Sequence, residues 1–221
     1  MLVEPSIQTN HTNKRKPQMP VTPSLSARLR AHFSTGRLAL ASAGLAFAGA
    51  AQAHPGHAEG AFAGLAHPFM GLDHLLAMVA VGVWATQLGG RAKWLVPSCF
   101  VAVMAAGGAL GMSGLALPMV EGGIAASVLL LGLLIAFSVR LPVYASAGLV
   151  GVFAVFHGYA HGTEIPALAS PWLYGAGFLI ATALLHGLGL GVGAGLKKQG
   201  WTVRIAGAAV AACGAWMVAG M

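Results

Sequence analysis

Two stretches of this chain carry side chains able to hold a metal ion, HPFMGLDH at residues 67–74 and FHGYAHGTE at residues 156–164. The first offers His67, Asp73 and His74; the second offers His157, His161 and Glu164. Imidazole and carboxylate without thiolate suit nickel, cobalt, zinc or manganese better than copper(I) or an iron–sulfur cluster. Magnesium and calcium prefer oxygen shells and are poorly served by several histidines. The two cysteines, Cys99 and Cys213, stand in apolar runs without CxxC spacing, so neither a disulfide framework nor a thiolate site is indicated.

Spacing sharpens this chemistry. His157 and His161 are i, i+4 and Glu164 follows at i+3, which places all three on one stripe of a helix. His67 and His74 are seven residues apart, a rise of about 10 Å on a regular helix, too long for one ion with bonds near 2 Å. Either they form two stations or the helix is distorted at Gly71, with Pro68 suited to a first helical turn. His54-Pro-Gly-His57 is a candidate for weak metal capture, impaired in its tighter mode because Pro55 has no amide proton. His186 is a candidate for an inner pathway step or for a structural bond to a neighbouring helix.

The elements that must position these residues are apolar. Of 221 residues 57% are hydrophobic and only 8% charged, a balance of membrane proteins rather than soluble domains. Half of the twelve basic residues precede residue 38, ahead of the short apolar run LALASAGLAFAGA and the small-x-small sequence Ala51-Gln52-Ala53. Residues 1–53 therefore read as a basic extension and a cleaved export signal, with Met19 an alternative start and the mature chain beginning at His54. Residues 54–66 form an exported segment, and residues 67–221 a permease domain of about six transmembrane helices, an all-α polytopic membrane protein.

The six apolar segments run roughly over 67–88, 95–114, 119–139, 143–161, 172–196 and 201–220. With an exported amino terminus, Arg91, Lys93, Arg140, Lys197, Lys198 and Arg204 all fall on the cytoplasmic side, as the positive-inside rule requires. The carboxylates Glu59, Asp73, Glu121 and Glu164 gather in the opposite half with most of the histidines, an arrangement that attracts cations. An ionised carboxylate within a spanning helix costs about 2.5–3.5 kcal/mol and calls for a partner or a watery cavity. The basic balance is thus a matter of topology and indicates no nucleic acid.

HPFMGLDHLLAMVAVGVWA followed by FHGYAHGTE resembles the HupE/UreJ family of nickel permeases, associated with hydrogenase and urease maturation. The first run is also similar to the H-x4-DH signature of a larger nickel/cobalt transporter family, with five residues between His67 and Asp73 instead of four. The resemblance implies a metal pathway through His67, Asp73, His74, His157, His161 and Glu164, with Glu121 a further acidic position and Phe100 an aromatic one.

These readings converge on an inner-membrane permease that imports a divalent ion, nickel or else cobalt, from periplasm to cytoplasm. It is not expected to be an enzyme or to hold a tight cofactor; its partners are the ion and the bilayer. Two alternatives use the same residues: an intramembrane zinc hydrolase, which lacks HExxH here, and a metal sensor or accessory protein without flux. Glycines 187, 191 and 195 are expected at a close helix contact, Met70, Met78 and Met104 in the core, and Trp84, Trp94, Trp172 and Trp201 near the interfaces. Three helices per half leave room for an inverted repeat.

Overall fold

The computed structural model describes residues 58–221 apart from residues 168 and 198, with side chains from Gly60 onward. The export signal expected over 1–53 and the histidines His54 and His57 lie outside the described residues. Within them the chain is wholly helical: α1 (Ala58–Ala66), a 3-10 turn (His67–Phe69), α2 (Leu72–Leu88), α3 (Ala92–Met112), α4 (Val120–Ala136), α5 (Val143–Thr163), α6 (Pro171–Gly195) and α7 (Gly200–Ala219).

Local chemistry sets the boundaries. Pro68 opens the 3-10 turn, and Gly71 stands extended at the head of α2, its carbonyl accepting the Leu75 amide. Gly89 and Gly90 adopt positive φ angles of 76° and 50° and turn the chain back into α3. Ser138, at φ 53°, closes α4 early, with Val139 N–H bonded to the Leu134 carbonyl and Ser138 N–H to that of Ile135.

Four helices are long and apolar enough to cross a membrane: α3, α5, α6 and α7. The first apolar segment is not one helix, since α2 is turned by 78° from the helix that precedes it; taken together the bent pair makes a fifth candidate. Helix α4 has 17 residues, about 25 Å at 1.5 Å per residue, against a hydrocarbon core of about 30 Å. The six spans expected from hydropathy thus reduce to four that meet length and composition unaided. Helix α1, which composition placed in the exported segment, packs Gly64 and Ala61 against Tyr174 and Gly177 of α6.

Helices α2, α4 and α6 run from the end bearing His67 and Glu164 towards the end bearing Arg91, Lys93, Arg140, Lys197 and Arg204; α3, α5 and α7 return. These are called the histidine end and the basic end. At the basic end Arg204 Nε donates to the Ala136 carbonyl at 2.9 Å. The most extensive helix pairs are α3 with α5, α4 with α7 and α2 with α6. An inverted repeat of three helices would exchange the first and third of these pairs and map the second onto itself.

Close approach at each pair depends on glycine, but not on the glycines the sequence pattern suggested. Gly187, Gly191 and Gly195 face open space, whereas Gly189 abuts the Val79 carbonyl and Gly193 abuts Thr86. A shift of two residues turns a helical side chain by about 200°, to the opposite face. Gly189→Ala should therefore destabilise the protein by about 1–3 kcal/mol through overpacking, while Gly187→Ala leaves it unchanged. Monodisperse protein surviving a temperature series in detergent reports both; equal loss for the two variants would contradict this packing.

Burial corrects two further expectations. Trp84 is no interfacial anchor: it is fully buried, and its Nε1–H donates to the Val139 carbonyl at 3.0 Å. Met78 and Met104 are core residues as expected, but Met70 is exposed beside the bend. Trp94, Trp172 and Trp201 are exposed, in keeping with positions at segment ends.

Candidate metal site

The bend before α2 brings the two motifs together. Because the chain breaks between Phe69 and Leu72, His67 and His74 are released from the 10 Å stagger of a straight helix. Both converge on His161 of α5: the ring centroids of His67 and His161 lie 4.7 Å apart, and those of His74 and His161 lie 4.3 Å apart. One turn deeper, His157 approaches His74 at 4.8 Å. The helix is distorted at this point, and His67 and His74 still fall in different ligand groups.

The outermost group consists of His67, His161 and Glu164, whose ligand atoms all lie within 4.8 Å of one another. His67 Nε2 is 3.1 Å from Glu164 Oε2, and His161 Nδ1 is 3.8 Å from the same oxygen. The side chains of His67 and Glu164 remain 36% and 49% exposed, so this group faces the outside. His161 is buried, with Phe178 against its ring at 3.8 Å and Tyr174 beyond His67 at 5.8 Å.

The next group is set by its hydrogen bonds. Asp73 Oδ1 accepts from both the backbone N–H and the ring Nδ1–H of His74, at 2.7 and 2.8 Å. That fixes the His74 tautomer and leaves Nε2 as a lone pair, the way a carboxylate orients a metal-ligating histidine. Asp73 thus stands as the partner of His74, outside the group of His67, His161 and Glu164. The Ser127 hydroxyl donates to the Ile124 carbonyl at 2.6 Å, so its oxygen accepts from His157 Nε2–H at 2.9 Å and leaves His157 Nδ1 bare.

Bare nitrogens are the site's distinguishing feature. His74 Nε2, His157 Nδ1, both nitrogens of His161 and His186 Nε2 are buried and have no hydrogen-bond partner. An unpaired buried polar atom costs about 1–3 kcal/mol, and nearly all such atoms in proteins are paired. Five of these atoms sit on histidines of α2, α5 and α6, and each neutral ring offers one lone pair, a donor set that suits a cation.

Glu121 sits apart from the imidazoles. It lines, with Asp73, Leu72 and Trp216, a separate cavity of about 540 Å³. Asp73 therefore joins two environments, the histidines on one side and, on the other, a mostly apolar cavity that it shares with Glu121. Phe100 is fully buried, its ring 5.6 Å from His157 and 5.1 Å from His186. His186 Nδ1–H donates to the Met78 carbonyl at 2.7 Å, so it bonds a neighbouring helix and still keeps a bare Nε2.

Motif reading passed over Ser127, Tyr174, Phe178 and Thr182. One legible clue was available: Tyr174, Phe178, Thr182 and His186 recur every four residues along α6, a polar and aromatic stripe in an apolar helix. Ser127 carries no such mark, because a lone serine in an apolar run takes its role only from the residue opposite.

Comparison with known proteins bears on the chain as a whole. A model of the family described as HupE / UreJ protein matches residues 40–217. The chain is 56% identical over 182 residues to a protein of Rhizobium leguminosarum bv. viciae described as Protein HupE, an alignment covering 80% of this chain and 95% of that relative. No solved structure matches. A family match across most of the chain and a relative similar along nearly its whole length show that the chain belongs to the HupE/UreJ family.

Proposed function

We propose that this protein is an inner-membrane permease that takes a divalent transition metal ion, nickel before cobalt, from the periplasmic side to the cytoplasm. The observation that carries the reading is the run of bare, buried imidazole nitrogens from His161 through His74 and His157. In this reading the chain crosses six times, with the bent first span and the short α4 completing the set. The histidine end is periplasmic because the lysines and arginines lie at the other end. The mature chain starts at His54 after removal of its signal, and His54 and His57 gather ions at the mouth.

The chemistry proceeds by exchange of ligands. Asp73, Glu121 and Glu164 raise the local cation concentration, and among the described residues no lysine or arginine lies at that end to oppose them. His67, His161 and Glu164 replace part of the hydration shell, and the ion then steps to His74 and His157, held in their binding tautomers by Asp73 and Ser127. Several incomplete stations suit permeation, since an ion held by a closed cage would not leave. The cargo supplies metalloenzyme maturation, of hydrogenase or urease. No step requires bond cleavage, and the protein acts as a carrier and not as an enzyme.

Uptake of radioactive nickel by cells expressing the protein tests the ion class. Excess cobalt should compete strongly and zinc or manganese less, while excess magnesium should leave uptake unchanged. Equal competition by magnesium would contradict an imidazole-lined path.

A further inference from the structure

Towards the basic end from His157 lies a second group of buried side chains that the outer ligands do not use. The Thr182 hydroxyl, fully buried, is 3.4 Å from the sulfur of Met78 and 3.8 Å from that of Met104. A helical threonine commonly turns its hydroxyl back to a carbonyl of its own helix; this one reaches across to thioethers on two other helices. Met78 lies one turn beyond His74 on α2, and His186 one turn beyond Thr182 on α6. His186 is only 2% exposed, its Nδ1–H is committed to the Met78 carbonyl, and its bare Nε2 has no partner. The ring of Phe100 touches both His157 and His186, edge-on to the latter at 89°.

Methionines often fill irregular gaps in a core, which alone would explain two buried thioethers. It does not explain a hydroxyl aimed at both sulfurs with an unpaired imidazole nitrogen one turn away. The group offers one imidazole nitrogen, two thioether sulfurs and one hydroxyl oxygen, a softer set than the outer one. Thioethers are poor ligands for hard ions such as magnesium, calcium and manganese, and acceptable ones for late first-row ions.

We infer that His186, Met78, Met104 and Thr182 form a second, inner ion station, separated from the outer histidines by Phe100, which selects late first-row divalent ions against hard ones. The inference rests on the permease reading and adds the place where selectivity is set. Outer carboxylates and imidazoles admit manganese; the inner thioethers do not hold it. Movement between stations requires the Phe100 ring to swing aside.

The test uses purified full-length protein and the paired variant Met78→Leu with Met104→Leu, which keeps side-chain volume and so preserves packing. Equilibrium dialysis against nickel gives the number of ions bound, and nickel X-ray absorption shows whether sulfur is among the ligands. The wild type should bind a second ion with sulfur in its shell. The variant should lose that ion and its sulfur signature, and its nickel-to-manganese uptake ratio in cells should fall about tenfold, the scale on which altered ligand surroundings change metal affinity. A single ion with only nitrogen and oxygen ligands in the wild type would overturn the inner station and leave the permease reading standing. No bound nickel at all would overturn both, and a variant identical to the wild type in all three measurements would overturn the inner station.

Discussion

Nickel uptake by cells carrying His161→Ala is expected to fall to the level of cells lacking the protein, at matched amounts in the membrane. His161 is the residue on which the two motifs close: its ring lies 4.7 Å from His67 and 4.3 Å from His74, and both its nitrogens are buried and unpaired. Removing it separates the exposed pair His67 and Glu164 from the buried pair His74 and His157, so the ion would lose its ligand between mouth and interior. The expected loss exceeds the roughly 10–100-fold effect of disturbing a ligand's outer partner, because the ligand itself is gone. Truncating this buried ring also leaves a cavity and costs stability. Heat resistance of the purified variant separates the two effects, and uptake at more than a tenth of wild type would contradict the assigned role.

The second large effect is expected at Asp73. Asp73→Asn keeps an oxygen that can accept from the His74 ring but removes the negative charge and weakens the hold on the tautomer with a bare Nε2. The nickel concentration for half-maximal uptake should rise about 10–100-fold. Ser127→Ala should raise it less, by about tenfold or under, because His157 loses a neutral acceptor instead of a charged one. A reversed order, with Ser127→Ala the more damaging, would mean that Asp73 does not act through His74. Unchanged half-saturation in Asp73→Asn would remove the carboxylate from the binding step altogether.

The members of the candidate site were legible because side chains of this chemistry are rare in such a chain. Among so many apolar residues, Asp73, His74, His157, His161 and Glu164 stand out by type alone, and the i, i+4 spacing of His157 and His161 already gave a shared face. That the two motifs meet was inferable from the need of a buried carboxylate for a partner. The division of labour between them was not. Asp73 as orienter of His74 follows from a hydrogen bond set by the bend at Gly71, and a sequence shows only that a bend is allowed there.

The fold was legible in class and less so in detail. Hydropathy located the apolar helices, but it does not register a bend, so 67–88 read as one span where the chain turns by 78°. It also does not register a left-handed residue such as Ser138, which shortens α4. The glycine repeat of 187, 191 and 195 misled because a four-residue period fixes a face without saying which neighbour it meets; Gly189 and Gly193 make the contact instead. Trp84 misled for a related reason, since an indole at a segment end fits an interface or, as here, a carbonyl on another helix.

The central claim is that an ion crosses this protein through the histidine column, and nickel flux into sealed liposomes holding only the purified protein tests it most directly. With an internal metal-sensitive dye, the wild type should give saturable nickel influx, and the His161→Ala protein the leak of empty liposomes. Wild-type protein that binds nickel yet admits none would contradict the account and indicate a sensor or a metal-dependent hydrolase built from the same residues. Equal influx through wild type and His161→Ala would place the path elsewhere in the helical bundle.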